Sequence, residues 1–78
     1  MTPDVIKVKT FADYSLEAEF ETGEVRRFDM KPYLEFPAFS DLKDNGLFMR
    51  ASVLYGTVTW NDEIDLSPDT LYLRGNPM

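Results

Sequence analysis

Four carboxylates crowd the stretch WNDEIDLSPDTLYLRG, residues 60–75: Asp62, Glu63, Asp65 and Asp69. Carboxylates at this density can ligate a hard cation or share acid–base work. Asn61, Asp62, Asp65 and Asp69 would be the ligands of a cation loop, with Asp62 and Asp65 as the candidates for a metal. The spacing argues against it. A calcium loop of EF-hand type needs a central glycine for its sharp turn and a bidentate glutamate at its twelfth position, and this stretch has neither. The same residues read more simply as a helix start. Ser67 suits the N-cap, Pro68 the first helical position, and Asp69 the positive end of the helix dipole. Leu66 and Leu71 have the spacing of a hydrophobic staple. Gly75 and Pro77 end the helix, which is predicted over 68–74. Asp62 and Glu63 are then a polar turn, and no metal site is expected.

Other groupings were weighed for chemistry in the same way. Glu17, Glu19 and Glu21 share one side of a predicted strand and form a solvated row, facing Lys7 and Lys9. Arg26, Arg27, Lys31 and Arg50 would make a small basic patch, without the interleaved aromatics of a nucleic-acid footprint. Trp60 could stack on a ligand, or anchor the core between a strand and a turn. The chain has no histidine and no cysteine. The commonest general base, the commonest transition-metal ligand and any thiolate site are therefore absent. No Ser/His/Asp set or phosphate-cradling glycine loop can be assembled. The expectation is a protein that is not an enzyme, with no catalytic residues and no cofactor.

The elements that must position these residues follow from periodicity. Residues 14–21 alternate apolar and polar in strict order, as a half-buried strand requires. Residues 4–11 and 24–30 flank it as further strands, joined by turns near Ala12-Asp13 and at ETGE, 21–24, with Gly23 free to take positive φ. Opposing Val8 to Ala18 places Lys9 against Glu17 and Lys7 against Glu19. Val25 and Phe28 cannot share one strand face, which predicts a bulge or two-sided burial in the third strand. Pro32 opens a short helix. PAFSDLKDNGLFMRA suggests two short helical turns, the second over 45–49 with Asp44 as its cap. Residues 51–60 return to β, with a turn at Tyr55-Gly56. The fold class is α+β: a small antiparallel β-meander plus a second short β-hairpin, with short helices including a C-terminal one, in a single domain spanning 1–78. The predicted core is Ile6, Val8, Leu16, Ala18, Phe20, Phe28, Leu42, Phe48, Val58, Trp60, Leu66 and Leu71.

Seventy-eight residues allow one thin core. Fourteen acidic residues against eight basic ones give a net charge of −6, which repels phosphate backbones and anionic lipids. The expectation is no direct nucleic-acid contact and no membrane contact. The absence of a leader-like or spanning apolar run points to the cytoplasm.

VIKVKTFADYSLEAEFETGEVRRFDMKPYL, then FSDLKDNGLF, then YGTVTWNDEIDLSPDTLY resemble the small bacterial family catalogued as domain of unknown function 2442. The likeness covers nearly the whole chain. It departs at WNDE, where such proteins usually carry a proline and a glycine. The resemblance implies a small α+β fold with a meander sheet and no established activity. Similar proteins sometimes carry an appended helix-turn-helix DNA-binding domain, which these 78 residues are expected to lack. Such genes often lie beside another small domain of unknown function, implying a two-protein, toxin–antitoxin-like pair.

Three functional readings follow. The first is a non-enzymatic protein–protein interaction or regulatory module, meeting a protein partner or a twin through a sheet edge. The second is a regulator that reaches DNA only through a partner, or mimics its charge. The third is a small-molecule or divalent-cation sensor using the Trp60–Asp65 loop. Trp60, Tyr55, Tyr72, Arg26 and Arg27 are the residues expected at a partner surface.

Overall fold

The computed structural model describes residues 2–61 and 63–77. Three strands, β1 (Val5–Thr10), β2 (Ser15–Phe20) and β3 (Val25–Asp29), form the antiparallel meander expected from their alternation. The β1–β2 register is the predicted one: Val8 opposes Ala18, Lys9 opposes Glu17 and Lys7 opposes Glu19. A slip of one residue would carry Leu16, Ala18 and Phe20 to water, and all three are fully buried.

Two details of the meander differ from expectation. The irregularity lies in β1, between Val5 and Lys7, where the ladder shifts to bring Val5 opposite Phe20. Val5 is therefore buried, and Ile6, expected in the core, is 49% exposed. The β2–β3 ladder is regular throughout, so β3 has no bulge. Phe28 faces the core opposite Leu16, Val25 faces outward opposite Glu19, and Arg26 takes an inward position opposite Ala18. The mismatch in the pattern of β3 is absorbed by a charged side chain on the inner face.

After β3 the chain makes two 3₁₀ segments, Lys31–Tyr33 and Pro37–Lys43. The short helix α1 (Asn45–Phe48) follows, its cap Asp44 accepting a hydrogen bond from the Gly46 amide at 3.0 Å. The strands β4 (Ser52–Leu54) and β5 (Thr57–Thr59) form the second hairpin around Tyr55-Gly56. A two-residue strand, β6 (Asp65–Leu66), adds a third member to that sheet. The helix α2 (Pro68–Arg74) has Ser67 as its N-cap, accepting from the Thr70 amide at 3.2 Å, and Asp69 in its first turn. The last strand, β7 (Asn76–Pro77), pairs with the outer edge of β3.

The buried side chains of both sheets and both helices form one cluster. It holds every predicted core residue except Ile6 and the half-buried Val8, and adds Val5, Met30, Leu34 and Ile64. The outer edge of β1 runs close to β4, and the Val5 amide donates to the Gly56 carbonyl at 3.0 Å. On the opposite edge β7 covers Arg26 and Arg27 of β3. Among the described residues, no helix is long and apolar enough to cross a membrane.

Candidate functional surface

The second sheet builds its outer face by strand alternation. Val53 opposes Val58, and Val58 opposes Leu66; Val58 and Leu66 are buried in the core. Their neighbours point the other way. Ser52, Thr59 and Asp65 stand in register across three strands, and Leu54 opposes Thr57 in the next row. Together with Tyr55, Asn61 and an edge of Trp60 they line a shallow groove of about 620 Å³. The signal for this face is present in the sequence: hydroxyl and apolar residues at 52, 54, 57 and 59 flank the inward Val53 and Val58. The pairing of Asp65 with Thr59 carries no such signal.

The loop at one end of the groove is organised by Asn61. Its Oδ1 accepts hydrogen bonds from the amides of Glu63 (2.8 Å) and Ile64 (2.9 Å), and the Trp60 amide donates to the Ile64 carbonyl at 3.0 Å. The amide-capped turn occupies the oxygen that a cation loop would have needed. Asp65 belongs to a strand, and Asp69 contacts the Thr2 hydroxyl from the first turn of α2. Asp62 lies outside the described residues. Among the described residues, no group of three or more potential ligands is placed to hold a metal ion.

Trp60 is a core anchor. Only 7% of it is exposed, its ring stacks on Phe48 with centroids 6.0 Å apart, and its indole N–H donates to the Phe48 carbonyl at 2.9 Å. Arg26 and Tyr72 bind each other. The guanidinium sits 4.1 Å from the Tyr72 ring centre, donates to the Tyr72 carbonyl at 2.6 Å and pairs with Glu24. These two residues hold α2 against β3 and offer little to a partner. Arg27 lies on the opposite sheet face, where it meets Glu17 (3.3 Å), the Ser15 hydroxyl (2.9 Å) and the Phe11 ring (4.5 Å). Lys31 lies 3.4 Å from Asp29. Arg26 thus stands apart from Arg27, because adjacent residues of a strand face opposite ways, while Arg27 and Lys31 come together at Asp13 (3.9 Å from its carboxylate and 3.3 Å from its carbonyl).

Asp13, in the β1–β2 turn, has its carboxyl held below the usual carboxylate range. The Ser15 hydroxyl and amide donate to it, at 2.5 and 3.0 Å, and the charges of Lys31 and Arg27 act in the same direction. These contacts brace the turn and belong to the fold.

Two tyrosines occupy left-handed backbone, Tyr14 (φ 65°) and Tyr55 (φ 52°). That conformation costs a residue with a Cβ, and proteins normally place glycine or asparagine there. Tyr14 has compensation: its ring lies 5.3 Å from Phe48 and its hydroxyl donates to the Lys43 carbonyl. Tyr55 has none. It is 94% exposed at the tip of the β4–β5 hairpin, followed by Gly56 at φ 76°. Two positive φ values mark a primed hairpin turn, whose first position favours asparagine.

The family model of DUF2442, proteins of unknown function, matches residues 5–77. No curated protein matches the chain. A crystal structure from Nitrosomonas europaea, described as that of a candidate DNA binding protein, is similar, with a TM-score of 0.75 and 29% identity. The similarity covers 90% of this chain and 46% of that one, so this chain spans about half the length of its relative. That likeness corrects the expectation of no direct nucleic-acid contact. The expectation rested on the net charge of −6, and a net charge averages over the whole surface, whereas contact depends on local charge.

Proposed function

This chain belongs to the DUF2442 family of proteins of unknown function, and we propose that it works as a non-enzymatic regulatory module that docks a protein partner on the outer face of its second sheet. The observation that carries this reading is Tyr55. A large aromatic side chain stands 94% exposed on a backbone that disfavours it, with no ring contact or side-chain hydrogen bond among the described residues to repay the strain. Leu54, also exposed, stands beside it. Aromatic residues are enriched at the energetic centres of interfaces, since one ring buries a large area with few rotatable bonds. The docking surface is therefore a sheet face and a hairpin tip. Membership of a two-protein regulatory pair fits such a surface. The DNA binding suggested for the Nitrosomonas protein, more than half of whose chain lies outside the matched region, supports a regulatory setting.

A photo-reactive phenylalanine analogue placed at position 55 tests this, with one at position 19 on the outer face of the meander as the comparison. Irradiation in the native host should cross-link position 55 to one defined protein. Cross-links from position 19 and none from 55 would move the surface elsewhere and sink the reading. Turnover of any substrate that depends on a single side chain of this domain would overturn the non-enzymatic part.

A further inference from the structure

Resting on the reading of this face as a docking surface, we propose that its partner is a basic, extended protein segment, with one cation paired to Asp65 and another over the ring of Tyr55. Charge complementarity carries the choice. Among the described residues that line the groove, Asp65 is the one side chain charged at neutral pH, and none is a cation. Asp65 has no ion pair among the described residues, as is also true of Asp4, Glu19, Glu21, Asp41, Asp44, Glu63 and Asp69; what sets it apart is its place in the groove. Glu63, also exposed, lies two residues before it. An anionic segment would meet repulsion from Asp65 here.

The aromatic end gives the same direction. Elsewhere in the fold, arginine sits over aromatic rings: Arg26 over Tyr72 and Arg27 over Phe11. Tyr55 presents a ring of the same kind with no cation over it among the described residues. Arginine over such a ring gains both the cation–π attraction and a flat apolar contact. Between the two ends, Ser52, Thr57 and Thr59 supply hydroxyls that both donate and accept, which suits the alternating N–H and C=O groups of an extended backbone. Three strands at about 4.8 Å spacing give a width of about 10 Å, or roughly three residues of extended chain. Alternation then sets the segment: cations at every second residue face the groove, and the residues between them face away from it.

The probe is a short peptide alternating arginine with valine, titrated into the isotopically labelled protein and followed by backbone amide shifts. The expected result is saturable movement of the Tyr55, Thr57, Thr59 and Asp65 resonances, with an affinity that falls as salt rises. Asp65→Asn should weaken binding by up to about fivefold, the upper end for an exposed ion pair, and Tyr55→Asn should weaken it without unfolding the domain. Three comparison probes separate the outcomes. If the peptide with glutamine in place of arginine moves the same resonances as tightly, the face is a docking surface and the basic partner is wrong. If a DNA duplex moves them and the arginine peptide does not, the partner is a nucleic acid and the proposal is overturned. If the arginine peptide moves only the Glu17–Glu19 face, or no probe moves residues 52–65, both the proposal and the docking face fall.

Discussion

The guanidinium of Arg26 lies 4.1 Å from the ring centre of Tyr72 and donates to the Tyr72 carbonyl at 2.6 Å, so one side chain of β3 grips both the ring and the backbone of α2. The Tyr72 ring in turn meets Phe20 edge-on at 5.3 Å. Arg26→Ala should remove a largely desolvated stack and a charge-assisted hydrogen bond, at a cost of about 2–3 kcal/mol. Arg26→Lys should recover less than half of that, since an ammonium cannot stack and reach the carbonyl together. Urea unfolding measures both. A loss below about 0.5 kcal/mol in Arg26→Ala would mean that the contact does not hold the helix.

The two strained tyrosines should respond in opposite directions. Tyr55→Asn should raise stability by about 0.5–1 kcal/mol, because asparagine suits left-handed backbone and no packing is lost. Tyr14→Asn should lower it by about 1–3 kcal/mol, because the contact with Phe48 disappears. Thermal unfolding of the two variants distinguishes them. A destabilised Tyr55→Asn would show that the exposed ring supports the fold after all.

The Asp13 carboxyl should titrate below the ordinary carboxylate range, because Ser15 hydrogen-bonds its charged form. A folded-state value depressed below the unfolded one contributes stability that is present above the ordinary carboxylate range. That contribution disappears as pH falls through the lower, folded value. The melting-temperature gap between the native chain and Asp13→Asn should therefore be widest near neutrality and close in acid. A gap that stays constant across that range would assign the effect to hydrogen-bond geometry alone.

At the start of α2, Ser67→Ala should cost about 0.5–2 kcal/mol through the lost cap. Leu66→Ala and Leu71→Ala should each cost about 2–5 kcal/mol through the cavities they leave, since Leu66 is 3% and Leu71 0% exposed. Millimolar calcium or magnesium should leave the melting temperature unchanged apart from general screening of the −6 charge. An ion-dependent rise that vanishes in Asp62→Asn and Asp65→Asn would restore the cation reading.

At the irregular start of β1, Val5→Ala should cost about 2 kcal/mol, and Ile6→Ser should cost less than about 0.5 kcal/mol. The reverse order in chemical unfolding would place the bulge elsewhere.

What the sequence determined here is what depends on a residue and its near neighbours. The cap at Ser67, the cap at Asp44, the Tyr55-Gly56 turn and the β1–β2 register all follow from local backbone chemistry or from strict alternation. Tertiary contact decided the rest. Val5 and Ile6 are both apolar and β-branched, so only the Phe20 partner and the ladder shift could select Val5 for the core. Arg26 reads as surface until α2 folds over it and supplies a ring and a carbonyl. Gly75 reads as a left-handed helix stop, yet its φ is −78°. Glycine is needed there because a Cβ would lie 2.5 Å from the Leu71 carbonyl oxygen and 3.1 Å from the Arg26 Cβ. The groove has the same origin. Asp65 joins Thr59 and Ser52 through a strand of two residues, too short to carry a periodic pattern, and the row exists because Leu66 must turn inward to reach the core.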